Sequence, residues 1–296
     1  MATLTPEHLD SFLAGLTQAE RTALYYDWPF YARPKQLPPP GDWSTWLLLA
    51  GRGFGKTRTG AEFIRAEVKA GRAGRIALIE RTPADARDVM IEGESGLLAV
   101  HPSHERPVYE ASRRRVKWPN GATATIYTSY EPDQLRGPQH DLAWAEELCS
   151  WQYQQETWDN LMLGIRLGQH PRVVVSTTPK PGQLLKSIMA QPTTATVRGS
   201  TYENLANLAP TFRAHVLSRY EGTSLGRQEL HGEILDEADD SLWKRSLIDK
   251  TRVEKAPELT RIVVGVDPPG GATECGIVIA GRDRRGEFYV LSDRSL

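Results

Sequence analysis

The segment Ala50-Gly51-Arg52-Gly53-Phe54-Gly55-Lys56-Thr57 carries the residue types that hold a polyphosphate. Glycines let a loop adopt backbone angles closed to other residues, so successive N–H groups turn inward on phosphate oxygens. A helix starting at the end of such a loop adds the positive end of its dipole. At this spacing Lys56 reaches the β- and γ-phosphates of ATP, and the Thr57 hydroxyl is a ligand for Mg²⁺. The pattern is Walker A with Ala50 in place of the first glycine. Alanine serves there if its backbone angle is ordinary. Arg52, inside the loop, brings a charge able to act beside the γ-phosphate in cis. A solvated loop arginine is the alternative.

This chemistry needs carboxylates at the end of a neighbouring strand, one on the metal side and one to polarise the attacking water. Asp141-Leu142-Ala143-Trp144-Ala145-Glu146-Glu147 ends in two acids. Glu146 takes the metal-side role more often filled by aspartate, and Glu147 is the expected general base. Read alone, the pair also fits two solvated glutamates at a helix start. Ser176-Thr177-Thr178-Pro179 closes the next apolar run. Its hydroxyls, Thr178 among them, suit either a γ-phosphate sensor or a helix cap.

These residues need elements to position them. Thr5-Pro6 caps a first helix carrying Leu9, Phe12, Leu13 and Leu16, and Thr17-x-x-Glu20 opens a second toward Tyr26. The stretch 33–41, with four prolines, breaks regular structure. From Thr45 the pattern becomes strand (45–50), loop, helix (57–70), strand (76–79), and a helix capped at Thr82. Asn120-Gly121 marks a hairpin. Strands at 142–144 and 173–175 flank a helix over 152–163, and helical pattern runs from about 209 to 235. Alternating strands and helices predict an α/β fold with a mostly parallel sheet covered on both faces. Three strands in quick succession, at 261–267, 276–280 and 287–291, form a separate meander.

The bulk numbers set limits. With 296 residues the chain is long enough for two domains. A net charge of -1 argues against a generic polyanion binder, so any nucleic-acid contact must be local. Cys149 and Cys275 have no metal-ligand spacing. No apolar run approaches the ~20 residues of a membrane span, and no signal-peptide pattern opens the chain. A soluble, cytoplasmic protein without membrane contact is expected.

The order of these motifs resembles the large terminase subunit of tailed bacteriophages, the motor that packages DNA. The resemblance runs through Trp28-Pro29-Phe30, Gln36-Leu37-Pro38-Pro39, the phosphate loop on to Glu62, and Leu135-Arg136-Gly137-Pro138-Gln139. It continues through Trp144 to Glu147, Gly164 to Gly168, and Thr177-Thr178-Pro179-Lys180. It implies an ASCE/RecA-like P-loop ATPase followed by an RNase H-like nuclease. The divisions expected are a helical, adenine-binding lead-in (1–40), the ATPase domain (41–235), a linker (236–257) and the first nuclease strands (258–296). Gln36 is implied to read adenine, Arg136 to reach a neighbouring subunit's ATP, and 176–179 to couple hydrolysis to DNA movement. Asp267 is implied as the first carboxylate of a nuclease site for Mg²⁺ or Mn²⁺. Further acids of that site, apart from the less fitting Asp293, are not found before Leu296, so that half is expected to be incomplete. The implied partners are double-stranded DNA, the portal protein and procapsid, the small terminase subunit, and further copies in a ring within the host cytoplasm. A P-loop helicase or DNA-remodelling ATPase, or a non-catalytic nucleotide-gated assembly module, accounts for fewer of the motifs.

Overall fold

A strand whose six residues are all buried, Thr45–Ala50 (β1), lies inside the sheet and explains why the run TWLLLA has no polar alternation. The computed structural model describes residues 6–220, 223–234, 247, 250–268 and 275–295. Contacts divide the chain into two compact units, 1–236 and 237–296.

In the first unit the other strands are Arg75–Glu80 (β2), Val108–Glu110 (β3), Arg115–Lys117 (β4), Thr123–Thr128 (β5), Leu142–Ala145 (β6), Arg172–Thr177 (β7) and Thr194–Gly199 (β8). They form one eight-stranded sheet in the order β3-β4-β5-β2-β6-β7-β1-β8. The six strands from β5 to β8 run parallel, while β3 and β4 add an antiparallel hairpin edge. Trp46 and Leu48 face one core, with Ile64, Phe63 and Trp144. Leu47 and Leu49 face the other, with Val175, Leu161 and Leu185. Alternate side chains of one buried strand thus feed both layers.

The helices are Pro6–Gly15 (α1), Gln18–Tyr25 (α2), Trp28–Tyr31 (α3), Lys56–Lys69 (α4), Pro83–Asp85 (α5), Leu97–Val100 (α6), Gln154–Gly164 (α7), Gln183–Ala190 (α8), Pro210–Tyr220 (α9) and Ser224–Glu229 (α10). Thr17 and Glu20 form the expected capping box. Thr82 caps only one turn. The chain then widens into a π-helical stretch over Ala86–Ile91, so the ordinary helix expected there does not form. The edge strand β8 and helix α8 were not expected. β8 is polar and half-exposed, and carries no apolar run to announce it. Among the described residues no helix is long and apolar enough to cross a membrane.

The second unit holds Leu259–Asp267 (β9), Gly276–Asp283 (β10) and Phe288–Asp293 (β11) in an antiparallel sheet ordered β11-β10-β9. Much of the stretch expected as a linker, 236–257, lies outside the described residues.

Candidate nucleotide site

Strand order brings the site together. β7 lies between β1 and β6, with Leu49 opposite Thr177 and Ala145 opposite Val175. The carboxyl ends of three adjacent strands therefore deliver the phosphate loop, Ser176–Thr178 and Glu146–Glu147 to one edge of the sheet. Ligand sites of open α/β sheets lie at such ends.

The loop turns on two glycines in the left-handed region, Gly53 at φ 74° and Gly55 at φ 95°, and α4 begins at Lys56. Among the described residues the N–H groups of Gly53, Gly55, Lys56 and Thr57 make no hydrogen bond, whereas Gly51 N–H donates to Gly199 O and Arg52 N–H to Glu229 O. Four consecutive or near-consecutive donors at a helix start form an anion cradle. Lys56 is buried, and its Nζ donates to Ala50 O at 2.9 Å and to Thr178 Oγ1 at 3.0 Å, beside Glu147 Oε1 at 3.3 Å.

Glu146 is 1% exposed and takes three donors: Thr57 Oγ1 at 2.6 Å on one oxygen, with Trp144 Nε1 at 2.8 Å and Ser176 Oγ on the other. Burial, and then the neighbouring Glu147 charge, push its carboxyl up; the Ser176 and Thr57 hydroxyls and Lys56 pull against them. A carboxylate beside a threonine hydroxyl at the end of the loop is a hard oxygen donor set that fits Mg²⁺. The indole of Trp144 reaches Glu146 by packing against Gly60 of α4. A Cβ at Gly60 would lie 2.4 Å from Trp144 Cε2, so no larger residue fits.

Glu147 adopts a left-handed backbone, φ 47° and ψ 49°, which is uncommon for a residue with a side chain and clusters at functional sites. The bend aims its carboxylate back across β7, where Oε2 accepts from Thr178 N–H at 3.1 Å. Thr178 therefore touches both Lys56, through its hydroxyl, and Glu147, through its backbone.

Other expected residues are placed differently. Gln36 is 5% exposed. Its amide donates to Gly55 O at 3.4 Å and Thr59 Oγ1 at 3.3 Å and accepts from Arg33 N–H, so it must leave these partners to meet a base. It also lines a cavity of about 290 Å³ with Trp28, Pro29, Pro38 and Phe63. Arg52 pairs with Glu229 at 2.7 Å and is mostly exposed. Arg136, also exposed, sits between β5 and β6 beside Asp133 at 3.1 Å and Asn160 at 3.4 Å. In the second unit Asp267 ends β9, exposed and opposite Gly276. Among the described residues no group of three or more His, Cys, Asp or Glu is placed to hold a metal.

One acid escaped the sequence reading. Glu80 ends β2, the strand next to β6, and is 6% exposed. Burial pushes its carboxyl up to about 7, assisted by the charges of Asp85 and Glu146, against the Arg81 N–H that it accepts. An acid closing an apolar strand was the same signal used for Glu146.

A family model for the terminase large subunit, T4likevirus-type, N-terminal, matches residues 47–250. Among solved structures, the large terminase ATPase domain of Thermus phage P74-26 aligns with a TM-score of 0.52 at 14% identity, over 69% of this chain and 94% of that one. A large terminase from a thermophilic bacteriophage, in complex with ADP, aligns at 0.55 and 13% identity, over 94% and 68%. The bacteriophage Phi-29 viral genome packaging motor assembly aligns at 0.50 and 14%, over 88% and 79%. No curated protein sequence matches. At such identities the structural likenesses speak for the fold, a P-loop NTPase-like α/β sheet. The matched span holds β1 from Leu47, the phosphate loop, the acidic strand and the Ser176–Thr178 strand end, and the chain belongs to the terminase large-subunit family.

Proposed function

We propose that the chain is the ATP-hydrolysing motor subunit that drives double-stranded DNA into a procapsid. One observation carries the ATPase reading: the N–H groups of Gly53, Gly55, Lys56 and Thr57, which make no hydrogen bond among the described residues, lie with the Lys56, Thr57, Glu146 and Glu147 side chains at the ends of three adjacent strands. The N–H groups bind the phosphates, and Lys56 exchanges Ala50 O and Glu147 for β- and γ-oxygens. Thr57 and Glu146 would hold Mg²⁺, whose charge would offset that of the phosphates. Glu147, released from Lys56, accepts the proton of the attacking water. Arg52 leaves Glu229 to add charge in cis, and Arg136 of a neighbouring copy adds it in trans; in other systems an arginine finger is worth roughly 10³–10⁵ in rate. Thr178, held to both Lys56 and Glu147, registers loss of the γ-phosphate. Gln36 contacts the adenine.

Portal, procapsid, small terminase subunit and a ring of copies complete this reading. It places a linker over 236–257 and the first strands of an RNase H-like domain over 258–296, with Asp267 as its first metal ligand. Magnesium-dependent phosphate release tests the core of it. Glu147→Gln should retain labelled ATP and lose turnover at least a hundredfold. Unchanged turnover in that variant, or wild-type protein that takes up no ATP with magnesium, would refute the proposal.

A further inference from the structure

The carbonyls of the phosphate loop are held from outside the loop. Arg52 O accepts from Thr201 Oγ1 at 2.6 Å, Gly53 O from Asn204 Nδ2 at 2.6 Å, and Phe54 O from the Arg33 guanidinium. Arg33 and Asn204 are joined in turn at 2.5 Å, Nη1 to Oδ1. Two segments remote in sequence, the turn over Pro34–Gln36 with the residue before it and the turn over Thr201–Asn207, thus grip three successive carbonyls. The Arg33 guanidinium also lies 4.8 Å from the Phe54 ring centre, which fixes it against the loop.

Peptide planarity turns this grip into control of the cradle. In a trans peptide the C=O of one residue and the N–H of the next point in opposite directions on one rigid plane. The chain has no cis peptide bond among the described residues. Holding Arg52 C=O outward therefore turns Gly53 N–H inward, and holding Phe54 C=O outward turns Gly55 N–H inward. Those are two of the four N–H groups that make no hydrogen bond among the described residues. Asn204 orients the peptide between them, whose N–H, on Phe54, closes the turn onto Gly51 O at 3.4 Å. Glycine-rich backbone has no side-chain preference to hold these planes by itself, so the external donors supply the orientation.

We propose that Arg33, Thr201 and Asn204 are positioning residues that preset the loop's N–H groups for a nucleotide's phosphates. The proposal rests on the reading of the cradle as a phosphate site. It predicts that losing a donor impairs nucleotide binding without loosening the fold. Thr201→Val removes the hydroxyl at nearly constant shape, and Thr201→Ser restores it. Asn204→Asp keeps the acceptor for Arg33 and removes the donor to Gly53 O. Binding of a magnesium–ATP analogue, KM and kcat for ATP, and Tm should be measured on the full chain.

Thr201→Val and Asn204→Asp are each expected to weaken binding and raise KM by about tenfold, the scale of one hydrogen bond left unmade, with Tm within a few degrees of wild type. Thr201→Ser should bind within about twofold of wild type. Wild-type affinity in both Thr201→Val and Asn204→Asp overturns the inference, and so does Thr201→Ser binding as weakly as Thr201→Val. A drop in Tm that accounts for the lost binding in both variants overturns it as well. Wild-type protein that fails to bind the analogue sinks the phosphate reading itself, a result distinct from equal binding by wild type and variants.

Discussion

Glu80→Gln should raise stability at alkaline pH and leave it nearly unchanged in acid. The Glu80 carboxyl is buried beside Glu146 and Asp85 and is pushed from 4.5 to about 7. Its contribution is fully present below pH 4.5, where folded and unfolded chains both carry the proton. Stability is then lost as pH climbs through about 7, because ionisation in the fold is penalised. The interval between 4.5 and about 7 converts to roughly 3 kcal/mol at about 1.4 kcal/mol per pH unit, a ceiling reached near pH 8.5. Glutamine keeps the acceptor for Arg81 N–H and cannot ionise, so it avoids that loss. In a unit of this size one kcal/mol moves Tm by about 2–4 °C, giving a gain of roughly 6–12 °C at pH 8.5. Calorimetric scans of both proteins between pH 5 and 8.5 measure the gap directly, and titrations shared by the two proteins cancel in the difference. A gap that stays constant with pH, or one that closes as pH rises, would refute the reasoning from burial.

Three further outcomes follow from contacts in and around the site. Gly60→Ala drives a methyl to within 2.4 Å of the Trp144 ring, and should cost about 1–3 kcal/mol despite alanine's better helix propensity; unchanged Tm and ATPase activity would contradict the packing of the indole against α4. Glu229→Gln removes the partner of Arg52, but the pair is largely exposed on the arginine side, so denaturant midpoints should indicate a change below about 1 kcal/mol. Turnover in that variant should shift if Arg52 exchanges Glu229 for phosphate, and identical kcat and KM would argue that it does not. Arg136→Ala should lower turnover of assembled protein by about 10³-fold or more while leaving ATP affinity within about twofold; equal turnover by isolated and assembled wild-type protein would count against a trans role.

What could be read from the chain alone was whatever local order announces. TWLLLA ahead of the glycines, LAWA ahead of two glutamates, and VVVST each mark a buried strand with chemistry at its end. Parallel packing then has few ways to arrange such ends. Elements without an apolar period stayed hidden, β8 among them, and so did the π-helical stretch, whose widening depends on tertiary packing rather than on propensity. Residue roles were harder still. The family resemblance implies that Gln36 meets a base, yet its amide is held by Gly55 and Thr59, because the turn at Pro34–Gln36 folds against the loop.

The largest gap between motif and structure concerns the direction of backbone groups. The Walker pattern specifies a loop able to point N–H groups at an anion, but ability is not orientation, since glycine peptides rotate freely in either sense. Orientation comes from Thr201 and Asn204, which lie 149 and 151 residues from the carbonyls they hold, and from Arg33 on the other side of the loop. No local spacing rule connects those positions. An intact Walker motif therefore does not by itself secure phosphate affinity. A variant that keeps residues 50–57 and loses the outside donors would match the motif as well as this chain does while presenting its amides in the wrong direction.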